Sequence, residues 1–113
     1  RPAPGGGGTR HMIGGPELRA LGSAGYLVNI ARGDVVEEAA LIEALNSATI
    51  AGAGLDVYEN EPNIDPRFLK LDTVVLQPHQ GSGSVETRTA MAELQLANVA
   101  AFLKGEPLVT PVN

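Results

Sequence analysis

Three chemically capable side chains each follow a run of residues that is typical of a β-strand. They are Arg32, Glu61 and His79, which come after residues 26–31, 51–57 and 73–78. Because ligands of a parallel α/β sheet bind at the carboxyl ends of its strands, we expect the three side chains to meet at one edge of the sheet. A guanidinium, a carboxylate and an imidazole in one pocket could bind a small acid and transfer a proton.

Each of these side chains also has a simpler interpretation. Arg32 could bind a carboxylate through two parallel hydrogen bonds, or it could form a surface salt bridge. His79 could exchange a proton near neutral pH, or it could bond a nearby backbone group. If Glu61 faces His79, its charge favours the imidazolium and fixes the ring; otherwise it is an ordinary loop carboxylate. The other histidine, His11, lies in a polar loop and is interpreted as solvated surface.

Asp56 closes the apolar segment Ala-Gly-Leu-Asp at the end of the second strand-like run. Burying a lone charge is costly, so this carboxylate needs a partner. A primary amide on a cofactor could be that partner.

Composition excludes several classes of protein. The chain has 113 residues, 43% hydrophobic and 19% charged, with a net charge of −5. This balance suits one packed domain and argues against a nucleic-acid surface, which needs a basic stripe. The chain has no cysteine, which excludes disulfides and thiolate metal sites and fits the cytoplasm. We predict no metal site, no membrane span, because no run of about 18 apolar residues occurs, and no signal peptide.

Hydrophobic patterning predicts an α/β fold with a parallel sheet covered by helices. The apolar runs predict three strands, of which the first should be buried on both faces and the second should also be buried. A short helix is expected at 17–21, a second around 38–45 with one buried stripe, and a long third helix at about 85–104. The third helix should begin after Ser84 and bury one side. Its predicted buried residues are Met91, Leu94, Val99, Phe102 and Leu103. Three strands are few, so we expect the chain to be part of a larger sheet.

The glycine-rich segment Gly5–Gly8 is not interpreted as a phosphate loop. A dinucleotide fingerprint needs Gly-x-Gly-x-x-Gly between a strand and a helix, and these glycines follow a proline-rich loop. Gly52 and Gly54 fail the same test, because Asp56 and a loop follow them. The sequence therefore contains no pyrophosphate site of its own.

Three segments together resemble successive motifs of the D-isomer-specific 2-hydroxyacid dehydrogenase family. They are Leu-Val-Asn-Ile-Ala-Arg-Gly (27–33), Gly-Ala-Gly-Leu-Asp-Val-Tyr-Glu-Asn-Glu-Pro (52–62) and Pro-His-Gln-Gly-Ser (78–82). The segment 84–91 is similar to the glyoxylate/hydroxypyruvate reductases of that family. The resemblance implies the C-terminal part of a Rossmann-like, doubly wound NAD(P)-binding domain at 1–104, followed by a tail at 105–113 that returns to a substrate domain.

The resemblance also implies roles. Arg32 would hold the substrate carboxylate, His79 would protonate the keto oxygen and Glu61 would pair with His79. Asp56 would meet the nicotinamide carboxamide. The residues expected around NAD or NADP are Pro4, Thr9, Ile30, Ala31, Arg32, Asp56, His79 and Gly81. The complete enzyme would reduce a small 2-keto acid to the D-2-hydroxy acid, as a cytoplasmic homodimer.

Three alternatives stay open at this point. Formate dehydrogenases resemble the family but have an amide in place of Glu61, so Glu61 favours the hydroxyacid interpretation. Some members of the superfamily are transcriptional corepressors that bind nicotinamide cofactors and keep the same three residues. The chain could also be a small α/β binding module without catalytic function.

Overall fold

The computed structural model describes residues 5–112, which form two compact units that divide after Gln80. The first unit contains a parallel three-stranded sheet in the order β1-β2-β3. Its strands are β1 (Tyr26–Asn29), β2 (Gly52–Leu55) and β3 (Val74–Leu76). The alternation of strands with helices confirms the predicted α/β class.

The first unit has two α-helices, of which α1 precedes β1 and α2 connects β1 to β2. Helix α1 (Gly15–Leu21) has Pro16 in its first turn, where the missing N–H costs nothing. Helix α2 (Glu38–Asn46) buries Leu41, Ile42 and Leu45, as its spacing predicts. Short 3₁₀ turns at Gly33–Val35 and Phe68–Lys70 complete the connections.

The core of the first unit lies on one face of the sheet. Ala53 and Leu55 of β2 pack there with α1, α2 and the loop that carries Phe68. Gly52 lies against the neighbouring strand: a Cβ built on it would be 2.7 Å from the carbonyl oxygen of Thr73. Close backbone approach therefore requires a glycine at residue 52, whereas at Gly54 the nearest atom to a built Cβ would be 3.9 Å away.

The opposite face of the sheet is exposed, so the prediction that the first strand is buried on both faces was wrong for β1. Tyr26 and Val28 are 71% and 68% exposed, and Val75 is exposed beside them. An apolar run predicts that a strand is covered, but the covering layer need not belong to the same chain. The strand β2 is the most buried of the three, because it lies between the other two strands.

The second unit consists of helix α3 (Val85–Lys104) and the residues after it. Ser84 caps the helix, because its Oγ accepts a hydrogen bond of 3.1 Å from the Thr87 N–H. Gly105 ends it with a left-handed φ of 71°. Asn98 Nδ2 donates to Thr110 Oγ1 at 3.0 Å and so holds the following segment.

The predicted buried stripe of α3 was wrong. All five of its residues are exposed, namely Met91, Leu94, Val99, Phe102 and Leu103. The buried residue of the helix is Ala101. Helical spacing predicts which side chains share a face, but it does not provide the surface against which that face packs. No helix within residues 5–112 is long and apolar enough to cross a membrane.

Candidate active site

The turn after β1 is built by the side chain of Asn29, which is 5% exposed. Its Oδ1 accepts a hydrogen bond of 3.1 Å from the Ala31 N–H, and its Nδ2 donates to the Arg32 carbonyl at 2.9 Å. These two bonds fold the chain back at the end of the strand and fix where Arg32 leaves it. The side chain of Arg32 is exposed, and its Nη1 donates to the Ala31 carbonyl at 2.7 Å.

Glu61 and His79 form a direct pair. Nδ1 of His79 lies 2.6 Å from Oε2 of Glu61, and Oε1 of Glu61 accepts a 2.9 Å hydrogen bond from the Tyr58 N–H. Desolvation raises the pKa of Glu61, but the hydrogen bonds from His79 and Tyr58 and the charges of His79 and Arg32 outweigh it and lower the pKa overall. Because the carboxylate is ionised, Nδ1 of His79 is the donor, and Nε2 is the ring nitrogen that can act on a ligand.

The backbone at His79 has a φ of 51°, in the left-handed region that non-glycine residues rarely occupy. The next residue, Gln80, donates its N–H to Oδ1 of Asp56 at 2.9 Å. This bond and the pair with Glu61 hold the strained turn, an arrangement that is common at functional sites. A protein partner for the carboxylate of Asp56 is thus present, and its predicted contact with a cofactor amide stays a prediction.

Gly33 fixes the distance between the loops that follow β1 and β2. A Cβ built on Gly33 would be 1.9 Å from the carbonyl carbon of Tyr58 and 2.0 Å from its oxygen. No side chain fits between two backbones at this distance. The absence of a side chain at residue 33 therefore brings the loop of Arg32 against the loop that leads to Glu61.

One open cavity of about 410 Å³ has Arg32, Glu61 and His79 in its wall. The structure therefore brings together the three residues that the sequence analysis selected for catalysis. The wall of this cavity carries both carboxylates and cations. The remaining lining residues are Gly5, Arg10, Gly33, Asp34, Tyr58 and Glu59. No ion pair to Arg32 is found within residues 5–112, so its guanidinium can receive an anion from solution.

Arg10 and His11 form a second charged group at this end of the sheet, which the sequence analysis missed. Nη2 of Arg10 lies 2.7 Å from Oε1 of Glu59, and Nε2 of His11 lies 2.9 Å from the same oxygen. The Glu59 N–H in turn donates to Oε1 of Glu38 at 2.7 Å. His11 is exposed as expected, but it is not merely solvated. His11 and Glu59 are 48 positions apart, so no local sequence pattern could predict their contact.

A second cavity, of about 350 Å³, is mainly apolar. It shares Tyr58, Glu61 and His79 with the first cavity. Its other walls are formed by Pro62, Ile64, Leu69, Leu76, Gln77 and Pro78. The His79–Glu61 pair therefore lines both a charged cavity and an apolar one.

The residues expected around a nicotinamide cofactor are placed as follows. Ile30 directly follows β1 and has 63% of its surface exposed, and Ala31 comes next within the turn that Asn29 builds. This apolar surface beside Arg32 suits a flat aromatic ring, so the residues present fit the nicotinamide half of the cofactor. Thr9 is partly buried, and its Oγ1 donates to the Gly6 carbonyl at 3.3 Å. Gly81 belongs to the second unit, and Pro4 lies outside the described residues.

The glycine-rich segment offers no comparable fit to the pyrophosphate. The Gly6 N–H donates to Oδ2 of Asp34 at 3.2 Å. A phosphate loop directs such N–H groups at its ligand, and a carboxylate there would repel a phosphate. The Gly6 N–H is thus already bonded to a carboxylate, and the expectation that Gly5–Gly8 bind no phosphate stays a prediction.

Comparison with known proteins places this geometry in a family. Residues 3–81 match the NAD binding domain of the D-isomer specific 2-hydroxyacid dehydrogenases. The 2-ketogluconate reductase of Gluconobacter oxydans is 56% identical over 108 residues, which are 96% of this chain and 35% of that protein. Glyoxylate/hydroxypyruvate reductase A of Arabidopsis thaliana is 48% identical over 92% of this chain and 33% of its own length.

A solved structure shares the fold closely. The NADPH-dependent glyoxylate/hydroxypyruvate reductase of Sinorhizobium meliloti, in complex with NADP and malonate, superposes with a TM-score of 0.95 at 46% identity. The match covers 98% of this chain and 35% of that one, so the chain spans about a third of the length of these relatives. The Rossmann-like fold and the resemblance of the three motifs are thereby confirmed: the chain belongs to the D-isomer specific 2-hydroxyacid dehydrogenase family and carries part of its NAD binding domain.

Proposed function

We propose that this chain is the catalytic part of an oxidoreductase that uses NADH or NADPH to reduce a small 2-keto acid to the D-2-hydroxy acid. The observation that carries the proposal is the His79–Glu61 pair, 2.6 Å apart, in the wall of a cavity that also holds Arg32. Reduction of such a substrate requires a group that binds its carboxylate and a group that donates a proton. Arg32, which has no ion-pair partner among the described residues, and the His79–Glu61 pair can provide these two groups.

Each side chain has one task in this proposal. Arg32 binds the substrate carboxylate through its planar fork and orients the keto carbon. His79, protonated on both nitrogens, donates from Nε2 to the keto oxygen, a contribution of about 10²–10⁴-fold in rate. Glu61 holds Nδ1–H, keeps the ring in position and stabilises its positive charge. The bound nicotinamide cofactor would supply the hydride.

The names of the relatives support a small keto acid as the substrate. They are called 2-ketogluconate reductase and glyoxylate/hydroxypyruvate reductase, and the solved neighbour was crystallised with NADP and malonate, a small carboxylate. We propose a substrate of the glyoxylate or hydroxypyruvate type. The names give no support to the corepressor alternative.

The remaining expectations are proposals of the same kind. The first is a domain boundary near residue 104, with 105–113 returning to a substrate domain. The second is a homodimeric, cytoplasmic enzyme, as the family resemblance suggests. Sedimentation equilibrium and cell fractionation of the complete protein would test the assembly and the location separately.

The activity is tested by following NADH and NADPH oxidation at about 340 nm in the complete enzyme with glyoxylate, hydroxypyruvate and 2-ketogluconate. We expect turnover with at least one of these acids. His79→Gln should lower kcat by about 10²-fold or more while KM changes little. The matched control is His11→Gln, whose imidazole pairs with Glu59 instead of Glu61. Normal turnover of His79→Gln would remove His79 from the role of proton donor.

A further inference from the structure

We propose that the hydroxyl group of Tyr58 positions the His79–Glu61 pair. This inference rests on the proposed function, because it concerns the same proton-donating site. Tyr58 was not among the residues that the sequence analysis selected. It is 7% exposed and lines both cavities, and three separate contacts connect it to the three segments that supply the catalytic side chains.

The first contact joins the ends of β2 and β3 through the hydroxyl group of Tyr58. In a parallel ladder that continued past β2, the carbonyl of Gln77 would accept from the N–H of Val57. Instead, Oη of Tyr58 lies 2.8 Å from the Gln77 carbonyl oxygen and 3.1 Å from that of Leu55. The Leu55 carbonyl already accepts a hydrogen bond from the Gln77 N–H at 2.8 Å. We therefore assign the single hydroxyl proton of Tyr58 to the hydrogen bond with the Gln77 carbonyl. A side chain thus replaces the backbone donor at the point where the strands separate.

The second and third contacts come from the backbone of the same residue. The Tyr58 N–H donates to Oε1 of Glu61 at 2.9 Å. The Tyr58 carbonyl lies where a side chain on Gly33 would be, one residue after Arg32. One residue therefore contacts the loop of Arg32, the carboxylate of Glu61 and the strand end two residues before His79.

The hydroxyl is the part of Tyr58 that acts on His79. A phenylalanine at this position would fill the same volume and keep both backbone contacts, but it would leave the Gln77 carbonyl without this donor. The turn that follows carries His79 at a φ of 51°, and such a backbone persists only where surrounding contacts hold it. Loss of the hydroxyl should let residues 77–79 relax, which lengthens the 2.6 Å contact between His79 and Glu61.

The kinetic test compares Tyr58→Phe with Tyr26→Phe in the complete enzyme. Tyr26 is the other tyrosine of the chain and is 71% exposed. We expect kcat of Tyr58→Phe, divided by the concentration of folded, cofactor-binding sites, to fall about three- to tenfold, with KM for the keto acid within about twofold of wild type. The Tyr26 variant should match wild type. An unchanged kcat in Tyr58→Phe, or a loss that disappears after division by the folded sites, overturns the proposal.

A spectroscopic test separates this inference from the proposed function. The ring ¹⁵N shifts of His79 report which nitrogen carries the proton, and they can be measured without turnover. In wild type and in Tyr26→Phe we expect Nδ1 to be protonated. In Tyr58→Phe the neutral ring should shift toward the Nε2–H tautomer, and an unchanged pattern contradicts the positioning role. An inactive wild type with the expected pattern would instead overturn the proposed reaction and leave the positioning role supported.

Discussion

Nδ1 of His79 and Oε2 of Glu61 lie 2.6 Å apart, although the two residues are 18 positions apart in sequence. They come from different loops, one after β2 and one after β3. The contact exists because both strands are parallel and end at the same edge of the sheet. The fold thereby brings two loop residues that are distant in sequence into direct hydrogen-bonding contact.

The first prediction concerns the charge of Glu61. Its pKa is lowered below the ordinary 4.5, because the bonds from His79 and Tyr58 and nearby positive charge outweigh desolvation. A carboxylate with a depressed pKa in the folded state contributes stability above pH 4.5, and this contribution is lost as the pH falls through the folded pKa. We therefore expect Glu61→Gln to lower the denaturation midpoint at neutral pH.

Urea denaturation of the two proteins at about pH 6 and about pH 3 measures this effect. The gap between wild type and Glu61→Gln should shrink at the lower pH, because the stability contributed by the ionised carboxylate falls as the pH drops below 4.5. The side chain is one-third exposed, so the gap should be modest even at neutral pH. A gap that is equal at both values would contradict the linkage.

A second prediction concerns how Arg32 recognises an anion. Arg32→Lys replaces a planar fork with a compact charge, so we expect KM for the keto acid to rise about tenfold. KM for the cofactor should change less, because the charge itself is retained. Arg19→Lys, on α1, is the control and should behave as wild type. An unchanged KM for the keto acid in Arg32→Lys would indicate that Arg32 has a structural role.

A third prediction tests the close approach at Gly33. In Gly33→Ala the new methyl group would be 1.9 Å from the backbone carbonyl carbon of Tyr58, so one of the two loops must move. We expect a loss of stability on the order of 3 kcal/mol, together with a large loss of activity. Thermal melting followed by circular dichroism checks the first effect. Gly7→Ala is the matched control, because nothing lies within 4 Å of a Cβ there.

Much of this arrangement could be predicted from the sequence. Hydrophobic periodicity, together with capping residues, glycines and prolines, predicted five kinds of feature. These are α1, α2, the three strands, the Ser84 cap and the end of α3 at Gly105. The placement of Arg32, Glu61 and His79 at strand ends predicted that they would share an edge. The helices and strands could be predicted because they depend on local sequence patterns. The shared edge could be predicted because the carboxyl ends of neighbouring parallel strands lie at the same edge of a sheet.

Other features could not be predicted, for identifiable reasons. The exposure of Val28 and Phe102 depends on which segments cover them, and hydrophobicity does not specify the covering partner. The contact of His11 with Glu59 depends on how two distant loops approach each other. The role of the Tyr58 hydroxyl depends on where the hydrogen-bond ladder between β2 and β3 ends. Sequence patterns do not predict the end of a strand to within a single residue.

The last prediction isolates one hydrogen bond that places Arg32. Asn29→Asp keeps the shape of the side chain and the acceptor for the Ala31 N–H, but it replaces the donor to the Arg32 carbonyl with a second oxygen. At neutral pH this puts a charged oxygen against a carbonyl at a position only 5% exposed. We expect a loss of about 1–3 kcal/mol and a higher KM for the keto acid, because the turn that aims Arg32 is disturbed.

The same variant carries its own test of mechanism. Burial and the facing carbonyl raise the pKa of a carboxyl group at this position, so the penalty is present above that pKa and is relieved as the pH falls. Protonation restores a donor to the Arg32 carbonyl, and the stability of Asn29→Asp should approach that of wild type in acid. Asn63→Asp, at an exposed position, is the control for added charge. A deficit in Asn29→Asp that grows in acid would mean that the Nδ2 bond does not hold the turn.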